Sequence, residues 1–257
     1  MATHLLAYRQ AIDSAVLTPV NVVEDTQLTK FDSKTFAVPS GLNFIHWAFA
    51  GGPNITRAKI VTPSLTVRRA EVEVIPRNRG SVRVNKDVVQ IFRPFVPISL
   101  VPSEGIRLLA AEDGTGATDV VGLISLGPAS LPPPPAGEIR TVRATGTTTL
   151  TPYKWTKVTL TPDESLEAGT YTLIGFIPIS AGIIAARAII VGQVNRPGVI
   201  GFAGSEADAA NFNPANLYPI LNYSMGSFSH IDFPAFEFLS ASADTVQTVI
   251  LYLVKTA

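Results

Sequence analysis

Residues 171–192 read YTLIGFIPISAGIIAARAIIVG, a run whose only charge is Arg187. As a single helix it would extend about 33 Å at roughly 1.5 Å per residue, close to the roughly 30 Å of a bilayer's hydrocarbon core. As two strands and a bend it would be the buried centre of a β-protein. Pro178 breaks a helix but is tolerable at a strand end. Ile179-Ser180-Ala181-Gly182 reads as a turn, and cutting there leaves two strands of about eight to nine residues, an ordinary length.

An internal repeat decides between the readings. RAKIV (57–61) recurs as RAIIV (187–191), 130 residues later. At the same offset NFIHWAFAGG (43–52) lies over LIGFIPISAG (173–182), and IRLLAA (106–111) over FEFLSA (236–241). The counterpart of the apolar run, LNFIHWAFAGGPNITRAKIV (42–61), carries Asn43, His46, Pro53, Asn54, Arg57 and Lys59. It cannot span a bilayer cheaply, because each central cation costs roughly 2.5 kcal/mol or more. Its centre, AGGPN, is a turn. Residues 171–192 are therefore expected as two buried strands and a bend. The offset sets His46 over Phe176 and makes Arg187 the counterpart of Arg57. Arg187 should be paired and hydrogen-bonded, since an unpaired buried arginine is costly.

The rest of the chain reads the same way. Twenty prolines and 19 glycines cut its 257 residues into short segments. Several alternate or are β-branched: TVRRAEVEVI (66–75), GSVRVNKDVVQIF (80–92), YKWTKVTLT (153–161) and TVQTVILYLV (245–254). Such segments with frequent turn residues indicate an all-β sandwich or barrel. Arg196-Pro197-Gly198 has the chemistry of a type II turn, and EDGTG (112–116) that of a hairpin turn. Two short helices are expected. One lies over residues 3–17, where Leu5, Tyr8, Ile12 and Ala15 recur at helical spacing before Pro19. The other is SEADAANF (205–212). LGPASLPPPPAGE divides the halves, and its four consecutive prolines make a stiff connector.

Composition narrows the function. Lys plus Arg and Asp plus Glu are 20 each, so no global field attracts nucleic acid or an anionic membrane. Charged residues make up 16%, against roughly 25% in a typical domain. Either an unusually large fraction is buried, or other subunits cover the surface. Cysteine is absent, which excludes disulfides and thiolate metal sites. The N-terminus lacks the basic stretch followed by an apolar run that marks a signal peptide.

No catalytic, cofactor-binding or metal-binding residue is assigned. His4, His46 and His230 are the only histidines, and none has a second ligand at metal-binding spacing. Ser229-His230-Ile231-Asp232 resembles a triad in letters only, because neighbours on a strand point to opposite faces. EDGTG lacks the Lys and Ser/Thr of a phosphate loop and the spaced carboxylates of a calcium loop. Glu164 and Glu167 read as solvated turn residues rather than a glycosidase pair. Residues 68–93 hold seven basic side chains (Arg68, Arg69, Arg77, Arg79, Arg83, Lys86 and Arg93) against Glu71, Glu73 and Asp87, a local charge of +4. They read as a solvated face with cross-strand ion pairs or as a surface for an anionic partner. Trp155 and Tyr153 are candidate glycan-stacking residues, while Trp47 reads as core.

The 130-residue repeat, the rigid PPPP join and a short N-terminal helix together resemble the double jelly-roll major capsid proteins of tailless icosahedral viruses and phages. The resemblance is architectural and carries over no functional residue. It implies an all-β fold of two tandem, similar jelly-roll barrels: an N-terminal helix or arm over 1–18, a first jelly roll over 19–130, a linker over 131–137 and a second jelly roll over 138–257. It implies a non-enzymatic viral structural protein of the virion, assembled in the host cytoplasm. Its subunits would self-associate as homotrimers into pseudo-hexagonal capsomers of an icosahedral shell. Neighbouring capsomers, other capsid proteins, an internal membrane or packaged genome would be its partners, with no small-molecule substrate and no cofactor. The alternative is a two-domain β-sandwich adhesin or carbohydrate-binding module, and a third reading is a metal-dependent bicupin-like enzyme.

Overall fold

The apolar run is two strands. In the computed structural model, which describes residues 3–78, 91–201, 204–206 and 223–256, Thr170–Ile179 and Ile183–Ile189 are both extended. Gly182 closes the bend between them at φ +68°, and a Cβ there would lie 2.3 Å from Ser242 Oγ. Glycine suits this turn because an L side chain is both strained and crowded in it. No helix among the described residues is long and apolar enough to cross a membrane.

The chain divides into two compact units. One comprises residues 5–78 and 91–130, and the other residues 3–4 and 131–256. The strands of the first are β1 (His4–Ile12), β2 (Thr18–Pro19), β3 (Lys30–Asp32), β4 (Thr35–Ala37), β5 (Phe44–Gly52) and β6 (Ile55–Val61). After helix α1 (Pro63–Val67) come β7 (Val72–Val74), β8 (Arg77–Asn78), β9 (Ile98–Ser99), β10 (Gly105–Glu112) and β11 (Thr118–Gly127). One sheet is ordered β1-β11-β5-β8, with β9 also on β5, and the other β3-β4-β10-β6-β7, with β2 on β10. Leu6, Tyr8, Phe36, Ile45, Ile60, Leu108 and Ile124 are among the fully buried side chains of its core.

The second unit contains β12 (Ile139–Gly146), β13 (Thr156–Val158), β14 (Thr161–Pro162), β15 (Thr170–Ile179), β16 (Ile183–Ile189), β17 (Gly198–Ile200), β18 (Gly226–Ser229), β19 (Ala235–Ser240) and β20 (Gln247–Lys255). Its sheets are ordered β14-β12-β20-β15-β18 and β13-β19-β16-β17. Phe176 and Phe236 meet edge to face in its core, 4.9 Å between ring centroids. With the short β2, β3 and β8 of the first unit and β14 of the second set aside, eight described strands remain in each unit, and in chain order they form the sheets 1-8-3-6 and 2-7-4-5. That is the jelly roll, two Greek keys folded over one core. The fold is all-β, and the same barrel is written twice.

Strand irregularities fix the correspondence between the barrels. Where β5 pairs with β11 the ladder skips His46, and where β15 pairs with β20 it skips Ile174. Where β6 pairs with β10 it skips Thr56, and where β16 pairs with β19 it skips Ile184. Both pairs of skipped residues are 128 apart. The register is therefore 128 residues, not the 130 read from RAKIV and RAIIV. Arg187 corresponds to Lys59 rather than Arg57, and His46 to Ile174 rather than Phe176. An error of two residues is the one alternation tolerates, because it returns every side chain to the same face.

Other expectations also change. The N-terminal segment is strand β1, not a helix, with Leu5, Leu6, Ala7 and Tyr8 consecutively buried. A strand covered on both faces reads as a continuous apolar run. Its backbone is held from outside: Val23 N donates to Ala7 O and Arg9 N to Asn21 O. TVRRAEVEVI opens in α1, capped by the Thr62 hydroxyl accepting from Leu65 N. EDGTG joins β10 to β11, which lie in different sheets, so it is not a hairpin turn. Gly198 lies in β17 without positive φ, so Arg196-Pro197-Gly198 is not a type II turn. Most of the strand expected at 80–92 and of the helix expected at 205–212 lies outside the described residues.

Candidate functional site

The most strongly assembled polar group lies in the second unit, on β16 and β19. Each strand carries a single charge among mostly apolar residues, Arg187 and Glu237. The ladder sets the two opposite each other, and Arg187 Nε donates to Glu237 Oε2 at 2.6 Å. Arg187 is 1% exposed and is among the largest fully buried side chains. Its guanidinium lies 4.2 Å from the centroid of the Trp155 ring, within cation–π range. Arg196 Nε stands 3.9 Å from the same Glu237 oxygen. The Arg196 N–H donates to His4 Nδ1 at 3.2 Å, and His4 Nε2 lies 3.3 Å from Arg187 Nη1. Beside this group, Thr3 Oγ1 and Tyr223 Oη form a 2.6 Å hydrogen bond, and burial pushes the Tyr223 phenol upward.

Arg187 thus meets its expectation of being paired and hydrogen-bonded. Neither Glu237 nor His4 nor Arg196 was paired with it from the letters. The available signal was two lone, opposite charges on two mostly apolar strands. The chemistry of the arrangement is that of a brace: charges locked in a barrel wall. Trp155 is half-buried, and one face of its ring is covered by Arg187. That face is not available to a sugar. Trp47 is 2% exposed and belongs to the core, as expected. Tyr153 sits at φ +56°, its N–H donating to Ser240 O.

The remaining candidates are dispersed. His46 Nε2 contacts Pro128 O at 2.7 Å; burial lowers the ring's pKa, the carbonyl opposes this, and Arg93 adds to the lowering. His230 Nδ1 accepts from Gly169 N at 3.2 Å at the end of β18, and Asp232 is exposed in the turn beyond. Glu164 is exposed. Glu167 pairs with Lys255 at 3.1 Å and Arg140 at 3.4 Å, and these contacts, Lys255 first, hold its carboxyl below the usual range. No three His, Cys, Asp or Glu side chains among the described residues are grouped to hold a metal.

The basic run resolves in part. Glu73 pairs with Arg57 at 3.1 Å, and Glu71 pairs with Lys59. Arg68 Nη2 donates to Ser99 O at 2.9 Å, and Arg69 and Arg93 are exposed. Arg79, Arg83, Lys86 and Asp87 lie outside the described residues.

No protein family matches the sequence, and no curated protein does. Two solved structures are similar in arrangement. One is the major capsid protein P2 from Bacteriophage PM2, at 9% identity over 94% of this chain and 98% of that one, with a TM-score of 0.24. The other is the STIV MCP, at 10% identity over 97% of both chains, also with a TM-score of 0.24. Superposition at this level is too loose to transfer a residue from either.

Proposed function

We propose that this chain is a viral major capsid protein whose subunits associate as trimers into pseudo-hexagonal capsomers of an icosahedral shell. The observation that supports this reading is the jelly roll written twice in one chain with matching strand order and matching skipped residues. Two similar barrels per subunit, taken three times about an axis, supply six similar blocks, and six similar blocks tile a shell. The low charge content fits a molecule whose flanks are covered by neighbours. The polar brace of Arg187 and Glu237 fits a barrel that serves as a building block. The virion is then its location, with assembly in the host cytoplasm, and other copies of itself are its first partners.

Mass photometry and negative-stain microscopy of the full chain test the reading. The expected result is a trimer of roughly hexagonal outline, with larger assemblies at high concentration. A strict monomer across all concentrations and ionic strengths overturns it.

A further inference from the structure

The first unit carries an exposed, basic and apolar edge. Phe92 pairs with Ala48 and Ile98 with Ile45, both on β5. Residues 93–97 bulge out between these two anchors, beside the skipped His46. At the crest Phe95 is fully exposed and Val96 is 74% exposed. The flanks are held by hydrogen bonds. Arg68 donates to Ser99 O, and the Glu104 carboxylate accepts from Ser64 N, Ser64 Oγ and Val101 N at 2.7–2.9 Å. Arg69 and Arg93 are exposed, and Glu104 is consumed by these three donors. An exposed aromatic on a loop anchored at both ends, with Arg93 on the loop and Arg69 beside the Arg68 that holds its flank, is the composition of an interface anchor.

The second unit carries the opposite chemistry at the turn after β18. Ile231 is 77% exposed and Asp232 beside it is exposed. His230 N donates to Gly169 O, which ties this turn to the loop 163–169 that bears exposed Glu164. Neither Asp232 nor Glu164 is in a salt bridge among the described residues, whereas Glu167 is shared between Arg140 and Lys255. This end is apolar at its tip, and Asp232 and Glu164 are its exposed carboxylates outside those pairs.

We infer that the Phe95–Val96 edge of the first unit receives the Ile231–Asp232 turn of the second unit from another copy of this chain. The contact is heterologous, each copy offering both surfaces, and repetition of such a contact closes a ring when the rotation allows. Charge complementarity selects the partner: Arg69 and Arg93 meet Asp232 and Glu164, and like meets like in the wrong pairing. The inference rests on the capsid reading, because it names the surfaces through which that self-association proceeds.

Sedimentation velocity of the full chain at 50 and 500 mM NaCl provides the test. Association should weaken at the higher salt, where the screening length falls from over 10 Å to under 5 Å, about. The pair Arg69→Glu/Arg93→Glu should weaken association about tenfold or more, and so should Glu164→Arg/Asp232→Arg. Combining all four substitutions should restore it. Phe95→Ser should weaken association by a similar factor without changing its salt dependence. Wild-type-like association of either charge-reversed pair, or no recovery in the fourfold variant, overturns the inference while leaving the capsid reading standing. A wild-type chain that never associates overturns both.

Discussion

At the scale of single residues, the decisive side chain is Arg187. A guanidinium 1% exposed is tolerable because Glu237 neutralises it and Trp155 covers it. Removing one partner of such a pair strands the other charge, which typically costs about 3–5 kcal/mol. Arg187→Ala is therefore expected to lower the unfolding free energy by about that amount in a urea titration. The double change Arg187→Met/Glu237→Leu should recover most of the loss. Glu104 gives a pH signature. Burial raises its pKa, but the N–H of Val101 and the hydroxyl and N–H of Ser64 outweigh burial and hold the carboxyl below its usual range. The unfolded chain then takes up the proton first as pH falls. The stabilisation is complete above the ordinary carboxylate range and is lost as pH drops through the lower, folded value. Glu104→Gln should lower stability by about 1 kcal/mol at pH 7 and flatten its decline between about pH 5 and 3. A variant whose acid-unfolding curve is parallel to wild type would show that the clamp does not carry this linkage.

At the scale of elements, the strand–turn–strand at 170–189 was legible because Pro178 and Gly182 break the apolar run at its middle. Gly182→Ala is expected to cost about 1–2 kcal/mol, since its φ of +68° is left-handed and Ser242 stands in the way. Thermal unfolding measures this, and an unchanged midpoint would mean that the turn relaxes. Strand β1 was not legible as a strand. The spacing of Leu5, Tyr8 and Ile12 fits a helical stripe, and the contrary signal is that Leu6 and Ala7 between them are just as buried. Periodicity fails where a strand is covered on both faces, because no polar face remains to beat against the apolar one. EDGTG was misplaced for a different reason. Its turn chemistry was read correctly, with Asp113 Oδ1 accepting from Thr115 N and Gly114 at φ +81°, but a turn's letters do not say which sheet the next strand joins. The Arg187 group was half legible. A lone charge in an apolar strand demands a partner, but only the ladder between β16 and β19 identifies Glu237 as that partner.

At the scale of the whole molecule, the all-β class and its doubling followed from the spacing of prolines and glycines and from one repeated offset. The exact pairing of the copies did not, since a two-residue slip preserves every inward and outward choice. Exposed surface was the least legible quantity of all: nothing in RPFVP announces that Phe95 stands clear of the barrel, because exposure depends on the two anchors on β5 that lift the loop. On the proposed capsid reading, particle formation should accordingly respond to Phe95→Ser far more than to substitution of another exposed apolar residue such as Val246, as electron microscopy of the two variants would show. The doubled skips at His46 and Ile174, and at Thr56 and Ile184, have a further consequence. Few letters agree between the two barrels, yet the backbone misses its step at the same two places in each. Irregular spacing between strands thus agrees between the two barrels where spelling does not. Distant cousins of this chain are better sought by the rhythm of their missed steps than by the residues that fill them.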